Sequence, residues 1–289
     1  MALKIGVINQ KGGVGKTTVS NALAYESAKG RNLRTLIIDF DPQASQTILF
    51  NRNPWDYIKD SEHNIAKIFD KKPLSPINIF PNLDFIPANL ELSNKSESTV
   101  VGKDKMLQKF LNKIEDDYDV IFIDSNPSFS SLMTNVVLAS DYLVIPIGTS
   151  ALDEAGAHGF FQIIEDIADI YEKYPQKIYV LPTKFDRRRK DDTEVLSILQ
   201  NDLPEYISSL DNLANSEFYV LPTIPERAVI KDAAASRMFL KEYIETYERS
   251  QKELIITFEQ IIKELTKDIK GIKKVKPIKK LAEVKVKSA

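Results

Sequence analysis

Seven short apolar runs recur along the chain: KIGVIN (4–9), RTLIIDF (34–40), LDFIP (83–87), DVIFID (119–124), YLVIPI (142–147), IYVLP (178–182) and FYVLP (218–222). Valine, isoleucine, leucine and phenylalanine follow one another almost without alternation, the pattern of strands covered on both faces and so of a mostly parallel sheet. Helical segments fall between them, over 16–29 closed by Gly30, 105–116, 129–139, 151–173, 191–209, 232–247 and about 249–270 closed by Gly271. Such alternation predicts an α/β doubly wound domain with a mostly parallel sheet flanked by helices. From Pro42 to Pro81 the pattern weakens, and Trp55, Tyr57, Ile65, Ile68 and Phe69 predict one or two short helices on the sheet edge. Leu254, Phe258, Ile261, Leu265 and Ile272 make one apolar stripe, read either as a helix packed on the sheet or as a dimer-forming helix.

Beyond Gly271 the pattern stops. Lys273, Lys274, Lys276, Lys279, Lys280, Lys285 and Lys287 face a single acid, Glu283, with Pro277 between them. The expected organisation is one domain over 1–270 and a flexible lysine-rich tail over 271–289.

Composition narrows the chemistry. With 43% hydrophobic residues in 289, the chain can bury a substantial core, and its formal charge of −2 gives no global attraction to nucleic acid or membrane. There is no cysteine, which excludes disulfides, thiolate-ligated clusters and cysteine nucleophiles and fits a reducing cytosol. His63 and His158 are the only imidazoles, too few for a histidine-rich metal site. No apolar run approaches the roughly 20 residues that span a bilayer, and the start MALK leads into a strand rather than a signal sequence. The expectation is a cytoplasmic protein.

Directly after the first apolar run comes QKGGVGKTT, with Gly12, Gly13 and Gly15 drawn from only ten glycines in the chain. A glycine-rich turn between strand and helix aims successive N–H groups at one point, where a polyphosphate sits without Cβ atoms in the way. Lys16 would reach the β and γ phosphates, and Thr17 would ligate Mg²⁺ directly. Gln10 replaces the first glycine of the plain phosphate-loop pattern, and Lys11 is a second lysine, placed to reach outward. Across a facing second copy, Lys11 could neutralise the neighbour's phosphates as an arginine finger does.

NQKGGVGKTT resembles the deviant Walker A loop of the ParA/MinD group of P-loop ATPases. The likeness continues in order over residues 3 to about 245: IIDFDPQAS (37–45) is similar to the family's D-x-D-P-Q switch, NLDFIPANLEL (82–92) to its N-L-D-x-I-P-A-N strand, and YDVIFIDSNPS (118–128) to its Walker B strand and second switch. LVIPI (143–147) and VLPTKFDRR (180–188) follow, and the D-P-Q and I-P-A-N segments favour the ParA partition branch. The resemblance implies an ATP-sandwiched homodimer, with Lys11, Gly12, Gly13, Val14, Gly15, Lys16, Thr17 and Thr18 around the phosphates. It implies Asp41 as the residue that activates water, Asp39 as its partner near Mg²⁺, and Asp124 as the Walker B aspartate acting through a metal-bound water. Asp41 with an ordinary carboxylate pKa would be a weak base, so turnover would be slow. Thr183, Lys184, Asp186 and Pro222 fall where relatives hold the base, although PTIPER (222–227) departs from the family's usual loop. So does Asn126, which stands where relatives often carry proline.

ParA proteins bind DNA without sequence preference as ATP dimers, and a centromere-bound, ParB-like partner stimulates hydrolysis. The resemblance therefore implies a nucleoid-associated partition protein, in a short form, since a loop beginning at residue 10 leaves no room for an N-terminal helix-turn-helix domain. Candidate phosphate-backbone contacts are Arg187, Arg188, Arg189, Lys190, Lys231, Arg237, Lys241 and the tail lysines. Two alternatives stay open. A MinD-like membrane-associated division regulator would need an amphipathic C-terminal helix, which Pro277 disfavours. A metabolic relative such as a small ligase is disfavoured by D-P-Q.

Overall fold

The structure is a computed structural model that describes residues 1–50, 62–97 and 101–269. Trp55, Tyr57, Ile272 and the tail lysines lie outside the described residues. In chain order the elements are β1 (Leu3–Val7), α1 (Lys16–Tyr25), β2 (Thr35–Phe40), α2 (Ser45–Leu49), β3 (Ile77–Phe80), β4 (Leu83–Ile86), α3 (Glu91–Ser96), α4 (Met106–Ile114), β5 (Val120–Ser125), α5 (Ser131–Ala139), β6 (Tyr142–Gly148), α6 (Ala151–Tyr171), β7 (Lys177–Phe185), α7 (Lys190–Ser208), β8 (Glu217–Val220), β9 (Ile224–Pro225), α8 (Ala228–Ala235), α9 (Leu240–Tyr247) and α10 (Lys252–Leu265).

One sheet runs β3-β4-β2-β5-β1-β6-β7-β8, with β9 also on β7. Every pairing is parallel except the edge pair β3–β4. Strands β2, β5 and β6 are buried along their whole length, which is why their sequences read as continuous apolar runs. On one sheet face Ile38, Ile123 and Ile145 pack with Leu107, Met133, Phe161 and Leu199 from the layer of α4 to α7. On the other, Ile37, Phe122 and Val144 pack with Leu23, Ile244, Phe258 and Ile261 of α1, α9 and α10. The stripe of α10 is thus buried within this chain, against α1 and its neighbours.

Three elements differ from the sequence pattern. The helix expected over 232–247 is two helices, because Arg237 takes a left-handed conformation (φ 53°) and closes α8. Its amide bonds to the Ala234 carbonyl and that of Met238 to the Ala233 carbonyl, both at 3.0 Å, a double bond pattern that ends a helix and redirects the chain. The weak region before Pro81 holds α2, a 3₁₀ turn over Ile65–Asp70 and the antiparallel strand β3, whose residues are only half-buried at the sheet edge. The run 218–222 ends early: β8 stops at Val220, and the two-residue strand β9 follows only at Ile224–Pro225.

Two local features hold the central layer. At Gly6 a Cβ would stand 2.6 Å from Ser140 Oγ and 2.9 Å from a Val136 methyl, so β1 approaches α5 as only glycine allows. Across the other face, the buried Glu26 carboxylate, in the π turn that extends α1, meets Lys241 Nζ at 3.1 Å, and Lys241 meets Glu259 at 2.7 Å, tying α1, α9 and α10 together.

Candidate nucleotide site

The C-terminal ends of β1, β2 and β5 converge on the loop before α1, the crevice where open α/β sheets hold ligands. Gly13 (φ 74°) and Gly15 (φ 98°) are left-handed, which side chains resist, and a Cβ at Gly12 or Gly15 would meet nothing within 4 Å. The loop is therefore an open cradle. Its frame is fixed by backbone-directed bonds. Asn9 donates to the Pro146 carbonyl (2.7 Å) and accepts from the Lys11 amide (2.8 Å), and Gln10 donates to the Gly156 carbonyl (3.3 Å). Gln10 thus docks the loop on α6, a job that a glycine there could not do. Thr183 Oγ1 donates to the Val14 carbonyl (2.9 Å), pinning the end of β7 to the loop.

Lys16 is 7% exposed, and its ammonium donates to the Lys11 carbonyl at 3.1 Å. Burial lowers its pKa, while Asp124 and Asp41 act in the opposite direction. Lys11 itself is exposed, on the wall of a cleft of 530 Å³ lined also by Pro127, Phe129 and Phe160. Thr17 and Thr18 follow in the first turn of α1, half-buried.

Asp39 and Asp124 are register partners on β2 and β5, and both are fully buried. Asp39 accepts from the Thr47 amide and hydroxyl (2.8 Å each) and the Asp41 amide (3.1 Å). Thr47 Oγ1 also accepts from the Ala88 amide (3.1 Å), which links this carboxylate to the I-P-A-N segment after β4. Burial raises the Asp39 pKa to about 7. Asp124 has no such shell: the Thr17 hydroxyl approaches it, yet among the described residues neither carboxylate oxygen completes a hydrogen bond. Burial, then the Asp39 charge, push its pKa well up.

Asp41 accepts from the Gln43 amide at 2.9 Å and lines a second cleft, of 580 Å³, with Pro42, Asn126, Pro127 and Ser130. Burial raises its pKa, with the Gln43 amide and Lys16 opposing. That corrects the ordinary carboxylate pKa expected of it from the sequence. Asn126 is buried, and its amide nitrogen donates to Ser128 Oγ (2.5 Å) and Ser130 Oγ (3.4 Å), while Oδ1 has no partner. The sequence marked Asn126 only as a departure; the structure ties it to the turn before α5.

Away from the loop, the Asp186 carboxylate is held by Arg188, with Nε–Oδ1 2.9 Å and Nη2–Oδ2 2.7 Å. This guanidinium and the Arg188 amide keep its pKa far below the carboxylate range. Pro222 is exposed beyond β8. A cleft of 560 Å³ lies alongside, lined by Phe185, Arg187, Arg188, Thr223, Arg227 and Leu254 among others. Arg187, Arg189, Lys190, Lys231 and Arg237 are exposed, with Arg189 3.8 Å from Glu226 and Lys190 3.3 Å from Glu194. Lys241 is engaged between Glu26 and Glu259.

The residues present fit a magnesium nucleotide. An open glycine cradle, a buried ammonium at its inner face and an orphaned carboxylate next to Thr17 are what a polyphosphate and a hydrated dication would complete.

Comparison with known proteins agrees. The AAA domain family matches residues 2–180. The cell division protein PomZ of Myxococcus xanthus is 28% identical over 208 residues, covering 69% of this chain and 63% of PomZ. The chromosome-partitioning ATPase Soj of Treponema pallidum is 35% identical over 143 residues, covering 48% of this chain and 54% of Soj. The chain spans 62–66% of the length of the first three curated relatives it matches. Among solved structures, a plasmid partition protein of Borrelia burgdorferi is 28% identical, with TM-score 0.62, 87% of this chain and 99% of that one covered. The pNOB8 ParA, at 20% identity and TM-score 0.75 over 92% of this chain and 98% of that one, shares the fold. With its loop, paired aspartates and sheet order, the chain belongs to the AAA domain family and is similar to that family's ParA- and Soj-type proteins.

Proposed function

We propose that the chain is an ATP-switched DNA partition protein: ATP binding joins two copies in a sandwich, the dimer holds DNA without sequence preference, and slow hydrolysis, stimulated by a ParB-like centromere-binding partner, releases it. The observation that carries the reading is the pairing of an open phosphate cradle with an exposed second lysine, Lys11, beside it. Lys16, already committed to the inner face of its own loop, leaves Lys11 for a neighbour's phosphates.

The loop amides from Gly12 to Thr18 and Lys16 would bind the phosphates, and Thr17 would hold Mg²⁺ directly, with Asp39 and Asp124 acting through its waters. The metal would supply neutralisation of phosphate charge. Asp41 would take a proton from the attacking water, and its burial makes it a better base than an exposed carboxylate. Slow turnover then rests on Lys11, which reaches its place only in the dimer. Thr183, Asp186 and Pro222 remain the expected base-side residues, although Asp186 is engaged by Arg188. Arg187, Arg188, Arg189, Lys190, Lys231, Arg237 and Lys241 would offer charge to DNA, with Arg187 and Lys231, which form no ion pair among the described residues, contributing most.

The test is retention of the chain on DNA with ATP, ADP and no nucleotide, across a salt series, with anionic liposomes in a parallel arm. ATP-dependent retention that falls steeply with salt supports the reading. Indifference to nucleotide, or ATP-dependent capture by liposomes instead of DNA, overturns it.

A further inference from the structure

We infer that Lys184 is a third lysine of the phosphate site, directed at the polyphosphate held in its own subunit's loop and not at the base. The inference rests on the nucleotide-site reading above for its ligand and assigns this side chain a partner within it.

The end of β7 delivers the side chain to the loop. Thr183 is buried and bonded to the Val14 carbonyl, so the backbone at this point is fixed against the cradle. Lys184 then turns into the left-handed region, with φ 58°. A lysine pays roughly 1–2 kcal/mol for that conformation, and strained backbone of this kind collects at functional sites. The turn sends the exposed chain over the loop, where its ammonium stands 3.9 Å from the point that a Cβ on Gly13 would occupy. Among the described residues, no other heavy atom outside Gly13 and its chain neighbours lies within 4 Å of that point.

The charge there is unspent. Among the described residues no carboxylate lies within 4 Å of the Lys184 ammonium, and the nearest acid in sequence, Asp186, is held by Arg188. Lys16 adds a second positive charge at the inner face of the same loop. Two ammonium groups and a fan of backbone N–H groups around one hollow repel each other until an anion enters. An ammonium meets phosphate as a compact point charge and needs no planar partner, whereas a base edge calls for directional hydrogen bonding. Position over Gly13 and absence of a carboxylate both favour the phosphates.

Lys184→Asn tests the assignment, because asparagine tolerates the left-handed backbone and removes only the ammonium; Lys184→Arg keeps the charge. Affinity of the full chain is measured by calorimetry for ATP and inosine triphosphate, and by competition against inorganic tripolyphosphate, which has no base. Lys184→Asn is expected to weaken ATP and tripolyphosphate alike by about tenfold and to leave the ratio of ATP to inosine triphosphate unchanged, with Lys184→Arg within about threefold of wild type. Wild-type ATP affinity in Lys184→Asn, undiminished tripolyphosphate competition, or a changed ratio between the two nucleotides would overturn the inference. Failure of the wild-type chain to bind ATP would overturn the nucleotide-site reading as well, so the two failures are separable.

Discussion

Asp39 and Asp124 stand opposite each other in register, equally buried, yet among the described residues Asp39 accepts three hydrogen bonds and Asp124 none. Equal burial therefore implies opposite responses to the same substitution. Asp39→Asn turns an acceptor into a donor facing the Thr47 or Asp41 donors and is expected to cost about 1–3 kcal/mol of unfolding free energy. Asp124→Asn replaces a buried, unpartnered carboxyl by a neutral amide, cheaper to bury, and should stabilise the nucleotide-free chain by about 1 kcal/mol. It should also remove the gain in nucleotide affinity on adding Mg²⁺. Urea unfolding without ligand and calorimetry with and without Mg²⁺ read both effects; a less stable Asp124→Asn would show that this carboxyl has a partner.

The contact of β1 with α5 gives a second prediction. A methyl on Gly6 would lie 2.6 Å from Ser140 Oγ, whose hydroxyl already donates to the Val136 carbonyl at 2.7 Å and so cannot swing away freely. Gly6→Ala is expected to destabilise by about 1–3 kcal/mol through overpacking. Because β1 leads directly into the phosphate loop, ATP affinity should fall with it. Gly6→Ala together with Ser140→Gly, which opens the space, should recover most of the stability in thermal unfolding.

Glu26 links stability to pH. Burial raises its pKa above the usual value despite the Lys241 ammonium beside it. A carboxyl whose folded pKa exceeds its unfolded value binds more protons in the folded state, so its stabilising contribution is complete below the unfolded pKa and is lost as pH rises through the folded one. Glu26→Gln should therefore flatten the fall in stability as pH rises above about 4.3, the unfolded glutamate value. Lys241 keeps Glu259 at 2.7 Å, so the variant leaves no bare ammonium behind. Unfolding free energies of both proteins between pH 4.5 and 8 decide it: parallel curves would rule out a contribution from this carboxyl.

How much of this was legible in the chain depends on whether the signal was local. Strands β2, β5 and β6 were readable because burial on both faces writes itself as an unbroken apolar run. Strand β3 was not, since an edge strand half-open to water carries no such run. The break at Arg237 left no glycine or proline in the sequence to mark it, because an arginine adopts the left-handed turn there. At the site, spacing picked out the loop, and the resemblance to the ParA/MinD group pointed to Asp39, Asp41 and Asp124. What spacing could not show is which carboxylates are satisfied: Thr47, 8 residues from Asp39 and 41 from Ala88, supplies bonds that arise only from folding. The same holds for Asp186, whose capture by Arg188 changes what it can offer a base.

The two lysines of the loop can be told apart by mutation because their bonds differ in kind. Lys11 anchors the loop through its backbone: its amide donates to Asn9 Oδ1 and its carbonyl accepts from Lys16 Nζ. Lys11→Ala keeps both, so a single subunit should bind ATP within about threefold of wild type. The exposed side chain on the wall of the 530 Å³ cleft is what disappears, and with it ATP-dependent dimerisation and hydrolysis. Asp41→Ala should act at the opposite stage, since among the described residues the Asp41 carboxylate bonds only to the Gln43 amide. Dimers should form with ATP and persist, while phosphate release falls by about 10²- to 10⁴-fold, the usual worth of a positioned base. Light scattering with ATP and a phosphate-release assay on both variants separate the two roles. A Lys11→Ala protein that hydrolyses ATP at the wild-type rate would show that each subunit completes its own site, and the sandwich would then have no part in the chemistry.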